Sequence, residues 1–126
     1  MYSIININQI FKSLGQKINF DFGKTKIKIG DLREFKNDRD LGYTTIETNP
    51  QIIISPKLRF QNLSVIKAIL MHEIAHFVLI KQKKKHSERE TDKLAEKLFK
   101  VKIYYNEDGI QNLKNGERPR PKIYKK

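Results

Sequence analysis

The sequence contains no cysteine and no tryptophan among its 126 residues. Without cysteine, the chain can form no disulfide bond and no metal site built on thiolates. Acidic residues are also scarce, because 14 Asp and Glu stand against 26 Lys and Arg, and the formal net charge is +12. An excess of this size favours acidic partners, which include nucleic acid, an anionic surface and an acidic protein.

Two segments concentrate the positive charge. One is the lysine-rich stretch 81–85, and the other runs from Lys114 to Lys126. Such clusters fit contact with nucleic acid or another acidic partner, and they equally fit a solvated surface. The aromatic residues do not alternate with the basic ones as they do in a platform for base stacking, so composition alone does not establish nucleic-acid binding.

The length of the chain fits one small α+β domain. Residues 1–110 carry the periodic apolar segments, so we assign them to the domain. The basic residues 111–126 include Pro119 and Pro121 and lack a strong apolar period, so we assign them to an extended tail. The N-terminus has no basic segment followed by an apolar core, so we expect no secretory signal and a cytoplasmic protein.

The longest apolar run extends from Leu63 to Ile80 and predicts a buried helix. Its length is marginal for a membrane span. Lys67 and a polar cluster near the middle of the run argue against a span, so we expect no membrane partner. Burial of these polar side chains is costly unless something compensates them, and a divalent cation would do so.

The polar cluster is the motif HEIAH at residues 72–76, which has the form HExxH. Because His72 and His76 are four residues apart, their rings lie on one face of a helix and can bind one metal ion. Glu73 between them is placed to accept a proton from a water bound to that ion. The motif therefore predicts a zinc-dependent hydrolase.

A catalytic zinc ion usually has three protein ligands and an open position for water. Ser87 followed by Glu90 fits a capping box, which predicts that a helix starts at Ser87. Glu88 then lies in the first turn and Asp92 one turn later on the same face, so Glu88 is a candidate ligand. Asp92 can accept a hydrogen bond from a ligand histidine and fix its orientation. His86 remains open as an alternative third ligand.

The motif at 72–76, followed by the pattern Glu88-x-x-x-Asp92, resembles the gluzincin metallopeptidases. The stretch from Glu88 to Ala95 is similar to a block of the ImmA/IrrE-type and small phage-encoded metallopeptidases, although Thr91 stands where that block usually has Ala. The resemblance covers about residues 63–99. It implies a zincin-like domain in which zinc is bound by His72, His76 and Glu88, Glu73 is the general base, and Asp92 supports a histidine.

The resemblance implies a zinc metalloendopeptidase that hydrolyses peptide bonds of a protein or peptide substrate, with Zn²⁺ as cofactor. Such a protein would be cytoplasmic, or virion-associated if a phage encodes it. The alternative is a basic nucleic-acid-associated or virion protein with a zincin-like core. A side chain that stabilises the oxyanion is also needed, and the candidates are Tyr43, Tyr104, Tyr105 and His86.

The remaining patterns predict one further helix and a short, mostly antiparallel sheet packed on the long helix. Helical spacing from Asn6 to Leu14 predicts the helix, with Asn6 as its cap and Gly15 beyond its end. One strand near residues 43–54 is expected to border the cleft by analogy with zincins. The strand patterns at 18–22 and 25–29 predict a hairpin. Further strand patterns lie at 43–47, 51–54 and 101–105.

Overall fold

The computed structural model describes residues 1–120, which form three α-helices and five short strands. The mixture of helices and strands confirms the α+β class. The helices are α1 (Ile4–Lys17), α2 (Leu63–Lys81) and α3 (Glu88–Phe99). The strands are β1 (Ile27–Ile29), β2 (Gly42–Thr44), β3 (Ile52–Ile54), β4 (Tyr104–Asn106) and β5 (Glu117–Pro119).

The strands form two small sheets. The first has the order β1-β3-β2, in which β1 runs parallel to β3 and β2 runs antiparallel to it. The second pairs β4 with β5 in parallel. The prediction of a mostly antiparallel sheet was therefore wrong. The chain passes through β2 before it returns as β3, and this long connection lets β1 and β3 point the same way.

The predicted hairpin around Gly23 does not form. Residues 18–22 contain no strand, and β1 pairs with β3 instead. The aromatic residues of this segment pack between helices instead. The ring of Phe22 lies against that of Phe11 at a centroid distance of 4.5 Å and against that of Phe77 at 5.2 Å. An aromatic cluster between α1 and α2 thus produces the same alternation of apolar residues as a strand would.

Helix α1 begins earlier and ends later than its sequence pattern predicts. Ser3 is the N-cap, and its hydroxyl accepts a hydrogen bond from the backbone of Asn6, whose side chain accepts one from the backbone of Ser3. Asn6 is therefore half of a capping box and not the cap. Gly15 lies inside the helix, where a Cβ would come within 2.5 Å of the Phe22 ring. Close packing against Phe22 therefore explains why position 15 is a glycine, although the sequence pattern places Gly15 beyond the end of the helix.

Helix α2 forms the core of the domain. Twelve of its 19 residues are buried, and α1, α3, β2 and β5 contact it. By length and composition it is the one helix within residues 1–120 that could cross a membrane, yet 67% of its most apolar window is buried inside the domain. This burial is what a core helix requires.

Part of the segment assigned to an extended tail packs on the domain. Glu117–Pro119 forms β5, and Arg118 is only 9% exposed, with its guanidinium against Asp92. A buried ion pair, and not an apolar period, holds this strand, so the sequence pattern did not reveal it. Residues 121–126, the rest of the predicted tail, lie outside the described residues.

Candidate metal centre

Helices α2 and α3 bring the candidate ligands together. The hydroxyl of Ser87 accepts a hydrogen bond from the backbone of Glu90 at 3.2 Å, so α3 begins at Glu88 as its capping pattern predicts. The chain turns back between the helices, and the ligand atoms of His72, His76 and Glu88 all lie within 4.8 Å of one another. This group can hold a metal ion.

One carboxylate contacts both histidine rings. Glu88 places Oε2 at 2.9 Å from His72 Nε2 and Oε1 at 3.1 Å from His76 Nε2. The His72 side chain is 3% exposed, whereas that of Glu88 is 69% exposed. The group is therefore closed on the side of α2 and open to solvent on the side of α3, so an ion and a water molecule can reach it.

The second ring nitrogen of His72 is held by Asp92. His72 Nδ1 lies 2.6 Å from Asp92 Oδ1, which also accepts a hydrogen bond from Arg118 Nη2 at 2.7 Å. Burial raises the pKa of Asp92, but the hydrogen bond to His72 and the charge of Arg118 outweigh burial and leave the pKa below its usual value. An ionised carboxylate only accepts, so Nδ1 of His72 carries a hydrogen and Nε2 is the free ligand atom in the neutral ring.

The second ring nitrogen of His76 is held by His86. The Nδ1 atom of His86 lies 2.9 Å from the carbonyl oxygen of Lys84, which accepts only, so this nitrogen is the donor. The other nitrogen of neutral His86, Nε2, can then accept from His76 Nδ1 at 2.9 Å. His86 thus lies behind a candidate ligand, and the group that could hold a metal ion contains Glu88 and not His86.

Three acceptor groups converge at this site when both histidine rings are neutral. The Nε2 lone pairs of neutral His72 and His76 both face the carboxylate of Glu88, and acceptors with no hydrogen between them repel one another. Burial lowers the pKa of His72, but the bonds to Asp92 and Glu88 outweigh burial and raise it above its usual value. The hydrogen bonds of Glu88 with His72 and His76 hold the pKa of Glu88 far below its usual range. Either a proton or a cation can satisfy these atoms.

The donor set fits a divalent cation. Two imidazole nitrogens and one carboxylate are the ligand types of catalytic zinc sites, and other borderline cations accept them too. The supporting contacts to Asp92 and His86 leave one nitrogen of each ring available, which is the arrangement that metal-binding histidines require.

Glu73 faces this group without belonging to it. Its side chain is buried, with Oε2 at 4.0 Å from His72 Nε2, and Oε1 accepts a hydrogen bond from the hydroxyl of Thr44 at 2.9 Å. Thr44 lies on β2, which contacts α2. No local pattern points to Thr44, because only the packing of the sheet edge on the helix brings the two side chains together.

Two other residues at the site, Thr91 and Arg118, were not predicted, and Arg118 lies against Tyr105, one of the candidates for oxyanion stabilisation. Thr91 is fully buried, donates to the Ser87 carbonyl at 2.9 Å and lies 3.4 Å from His76 Nδ1. Arg118 packs over the ring of Tyr105 at 4.8 Å. Burial raises the pKa of the Tyr105 hydroxyl, and the nearby Asp92 adds to that rise. The departure from the family pattern at Thr91 therefore adds a polar contact to the site.

A cleft of about 1170 Å³ opens onto the group formed by His72, His76 and Glu88. Most residues of the segment 39–48, which includes β2, line one part of the cleft, and the turn after α2 and the end of β5 line others. Of the four candidates for oxyanion stabilisation, Tyr43 and His86 line the cleft, and the Tyr43 hydroxyl already donates to Glu34 at 3.2 Å.

The fold and the site together define a small α+β domain with two histidines and one glutamate that can hold a metal ion. Comparison with protein-family models, with curated proteins and with solved structures finds no significant match to this chain. The functional assignment therefore depends on the geometry of the site itself.

Proposed function

We propose that this protein is a zinc-dependent metalloendopeptidase built on a zincin-like domain, with a protein or peptide as substrate. Three features support the proposal. The HExxH motif lies on a buried helix, a carboxylate from the next helix meets both of its histidines, and the edge strand β2 borders the same cleft. The resemblance of residues 63–99 to gluzincin metallopeptidases implies the same combination.

The position of Glu73 carries the proposal. A site that binds a metal only for stability has no need of a further buried carboxyl group beside its ligands, since a closed structural site is complete with those ligands. Glu73 is 4% exposed, lies beside His72 and is fixed by Thr44. Keeping a carboxylate buried is costly, so its position beside the ligands argues for chemistry.

His72, His76 and Glu88 would hold the cation, which when bound activates a water molecule and polarises a peptide carbonyl. Glu73 accepts a proton from the attacking water and then passes it to the nitrogen of the leaving amine. Thr44 occupies Oε1 of Glu73, so Oε2 remains free for this transfer.

The free edge of β2 is the natural place for the substrate backbone. Within the described residues β2 pairs with β3 on one side only, and Gly42, Tyr43 and Thr44 line the cleft. An extended peptide can add to such an edge through backbone hydrogen bonds. The exposed apolar side chain of Ile46, which lines the same cleft, would contact substrate side chains.

Two measurements on purified protein test this function. Elemental analysis is expected to find one zinc ion per chain. A quenched eight-residue peptide library, randomised at its centre, is expected to be cleaved, and Glu73→Gln is expected to lower turnover by about 10²- to 10⁴-fold while zinc is retained. Glu90→Gln, on the exposed face of α3, is the matched control. Full turnover by Glu73→Gln would overturn the proposed role of this residue.

A nucleic-acid-associated or virion protein with a zincin-like core is the second candidate, and the net charge of +12 favours it. A phosphate-binding protein loses affinity steeply as salt rises. Titration with a labelled oligonucleotide at two salt concentrations, before and after removal of residues 121–126, tests this candidate. A cytoplasmic location, or a virion-associated one for a phage product, remains a prediction with either function.

A further inference from the structure

Positive charge is concentrated at the mouth of the cleft. Lys81, Lys83, Lys84 and Lys85, here termed the lysine turn, are exposed and line it. Arg120 lines it as well. No acidic residue occurs between positions 81 and 86, so nothing within this segment neutralises the lysine turn.

The charge inside the cleft is already balanced. Arg118 pairs with Asp92 at 2.7 Å, and a divalent cation would offset the two carboxylates of Glu73 and Glu88. The charge at the rim has no such compensation. The segment 39–48 contributes Arg39, Asp40 and Glu47 to the lining, so its charge nearly cancels, while the lysine turn and Arg120 remain in excess.

The lysine turn is held close to the candidate metal ligands. The carbonyl of Lys84 accepts a hydrogen bond from His86, and His86 contacts His76. Two hydrogen bonds therefore connect the backbone of the turn to a ligand ring. Substrate residues next to the scissile bond would lie within reach of these lysines, at a separation over which salt screening is incomplete.

Arg118 does not add to this excess of charge. Its side chain is 10% exposed and lines the cleft, but Nη2 donates a hydrogen bond to Asp92 and Nε is enclosed by the protein. The uncompensated positive charge at the cleft is therefore that of the lysine turn and Arg120.

We propose that the cleft selects peptides with acidic side chains near the scissile bond, and that the lysine turn with Arg120 recognises them. This inference rests on the proposed peptidase function. A peptide fits better than a nucleic acid because the lining mixes apolar Ile46 and Ile80 with the basic groups. A phosphate backbone is charged at every nucleotide and would also meet the acidic Asp40 and Glu47, whereas a peptide can place uncharged residues beside them.

Paired peptide libraries test the selectivity. Each peptide has a randomised centre flanked on both sides by two Glu residues, or by two Gln residues of the same shape without charge. The zinc-loaded protein is expected to cleave the Glu library about tenfold better at low salt, mainly through a lower KM, because several exposed ion pairs each contribute a little. The ratio is expected to fall toward one in high salt.

Charge-neutralised variants test which residues are responsible. The triple variant Lys83→Gln/Lys84→Gln/Lys85→Gln is expected to reduce the ratio between the libraries to near one. The matched control is Lys12→Gln/Lys24→Gln/Lys26→Gln, which changes the net charge equally at exposed lysines that do not line the cleft, and which is expected to keep the ratio. Equal ratios in the two variants would overturn the assignment.

Binding measured without cleavage separates this proposal from the peptidase itself. Fluorescence anisotropy of labelled Glu and Gln peptides with zinc-loaded Glu73→Gln is expected to show the same preference. If no library is cleaved but the preference persists and depends on the lysine turn, the peptidase proposal fails and acidic recognition stands. Equal binding of the two peptides, or their displacement by an equally charged oligonucleotide at lower concentration, would overturn acidic-peptide recognition.

Discussion

At the scale of single residues, the two nitrogens of each candidate ligand histidine have different partners. Nδ1 of His72 contacts Asp92 and Nδ1 of His76 contacts His86, while both Nε2 atoms face Glu88. The first set of contacts orients the rings, and the second set forms the binding group. Asp92 and His86 therefore act through the histidines, as positioning residues.

Variants of Glu88 and His86 distinguish a ligand from a positioning residue. Glu88→Ala is expected to abolish stoichiometric zinc binding, because only two ligands remain. His86→Ala is expected to retain one zinc per chain with an affinity about 10- to 100-fold lower, since His76 loses its support. A competition titration with a zinc chelator measures both, with Glu90→Ala as control. Zinc lost in His86→Ala but kept in Glu88→Ala would reverse the two roles.

Thr44 offers a second prediction at this scale. Thr44→Val keeps the shape of the side chain but removes the hydroxyl that donates to Glu73. We expect turnover to fall by about tenfold, which is about 1.4 kcal/mol in the barrier, with zinc content unchanged. Thr44→Ser retains the donor and is expected to keep most of the activity. If Thr44→Val and wild type had equal kcat, the hydroxyl would have no part in orienting Glu73.

At the scale of elements, an ion pair connects β5 to α3. The side chains of Asp92 and Arg118 are each 10% exposed. The residues next to them in the sequence show no apolar pattern that would have predicted β5. Loss of one partner leaves the other charged and buried, which costs more than the pair contributes when intact.

Asp92→Ala is expected to lower the free energy of unfolding by about 3–5 kcal/mol because it leaves Arg118 buried and unpaired. The double variant Asp92→Ala/Arg118→Met is expected to recover a large part of that loss. Urea denaturation of metal-free protein measures both. Asp31→Ala, which breaks the exposed pair of Asp31 with Arg33, is the control and is expected to change stability little. If Asp92→Ala were as stable as Asp31→Ala, the buried pair of Asp92 and Arg118 would not be what holds β5.

At the scale of the whole molecule, a cation held by this group would link α2 and α3, two helices that also pack on one another. The candidate ligands come from both helices, so binding would stabilise the folded state in which the helices meet.

Zinc is therefore expected to raise the thermal unfolding midpoint, with a gain of about 2.7 kcal/mol when free zinc is 100 times the Kd. Removal of the metal by a chelator is expected to reverse this gain. Differential scanning fluorimetry measures the shift in wild type and in Glu73→Gln, which keeps its ligands, and in His72→Ala, which does not. An equal shift in His72→Ala would mean that zinc acts elsewhere on the chain.

Much of the site could be predicted because its signals are local. The apolar run of α2, the spacing of His72 and His76, and the cap at Ser87 each depend on neighbouring residues, and the structure places these features as expected. Strand β3 also lies where its pattern predicts, whereas β2 shares only Tyr43 and Thr44 with the predicted strand 43–47. The hairpin at 18–29 failed because aromatic packing between helices imitates strand alternation.

The sequence by itself determined the HExxH helix, the start of the returning helix and the candidate ligands, because helical periodicity and capping operate over a few residues. Only the tertiary structure decided that His86 lies behind His76, that Thr44 fixes Glu73, and that Arg118 anchors β5. Thr44 and Glu73 are 29 residues apart in the chain, and Asp92 and Arg118 are 26 apart. Contacts over such separations arise from packing and leave no periodic pattern in the sequence.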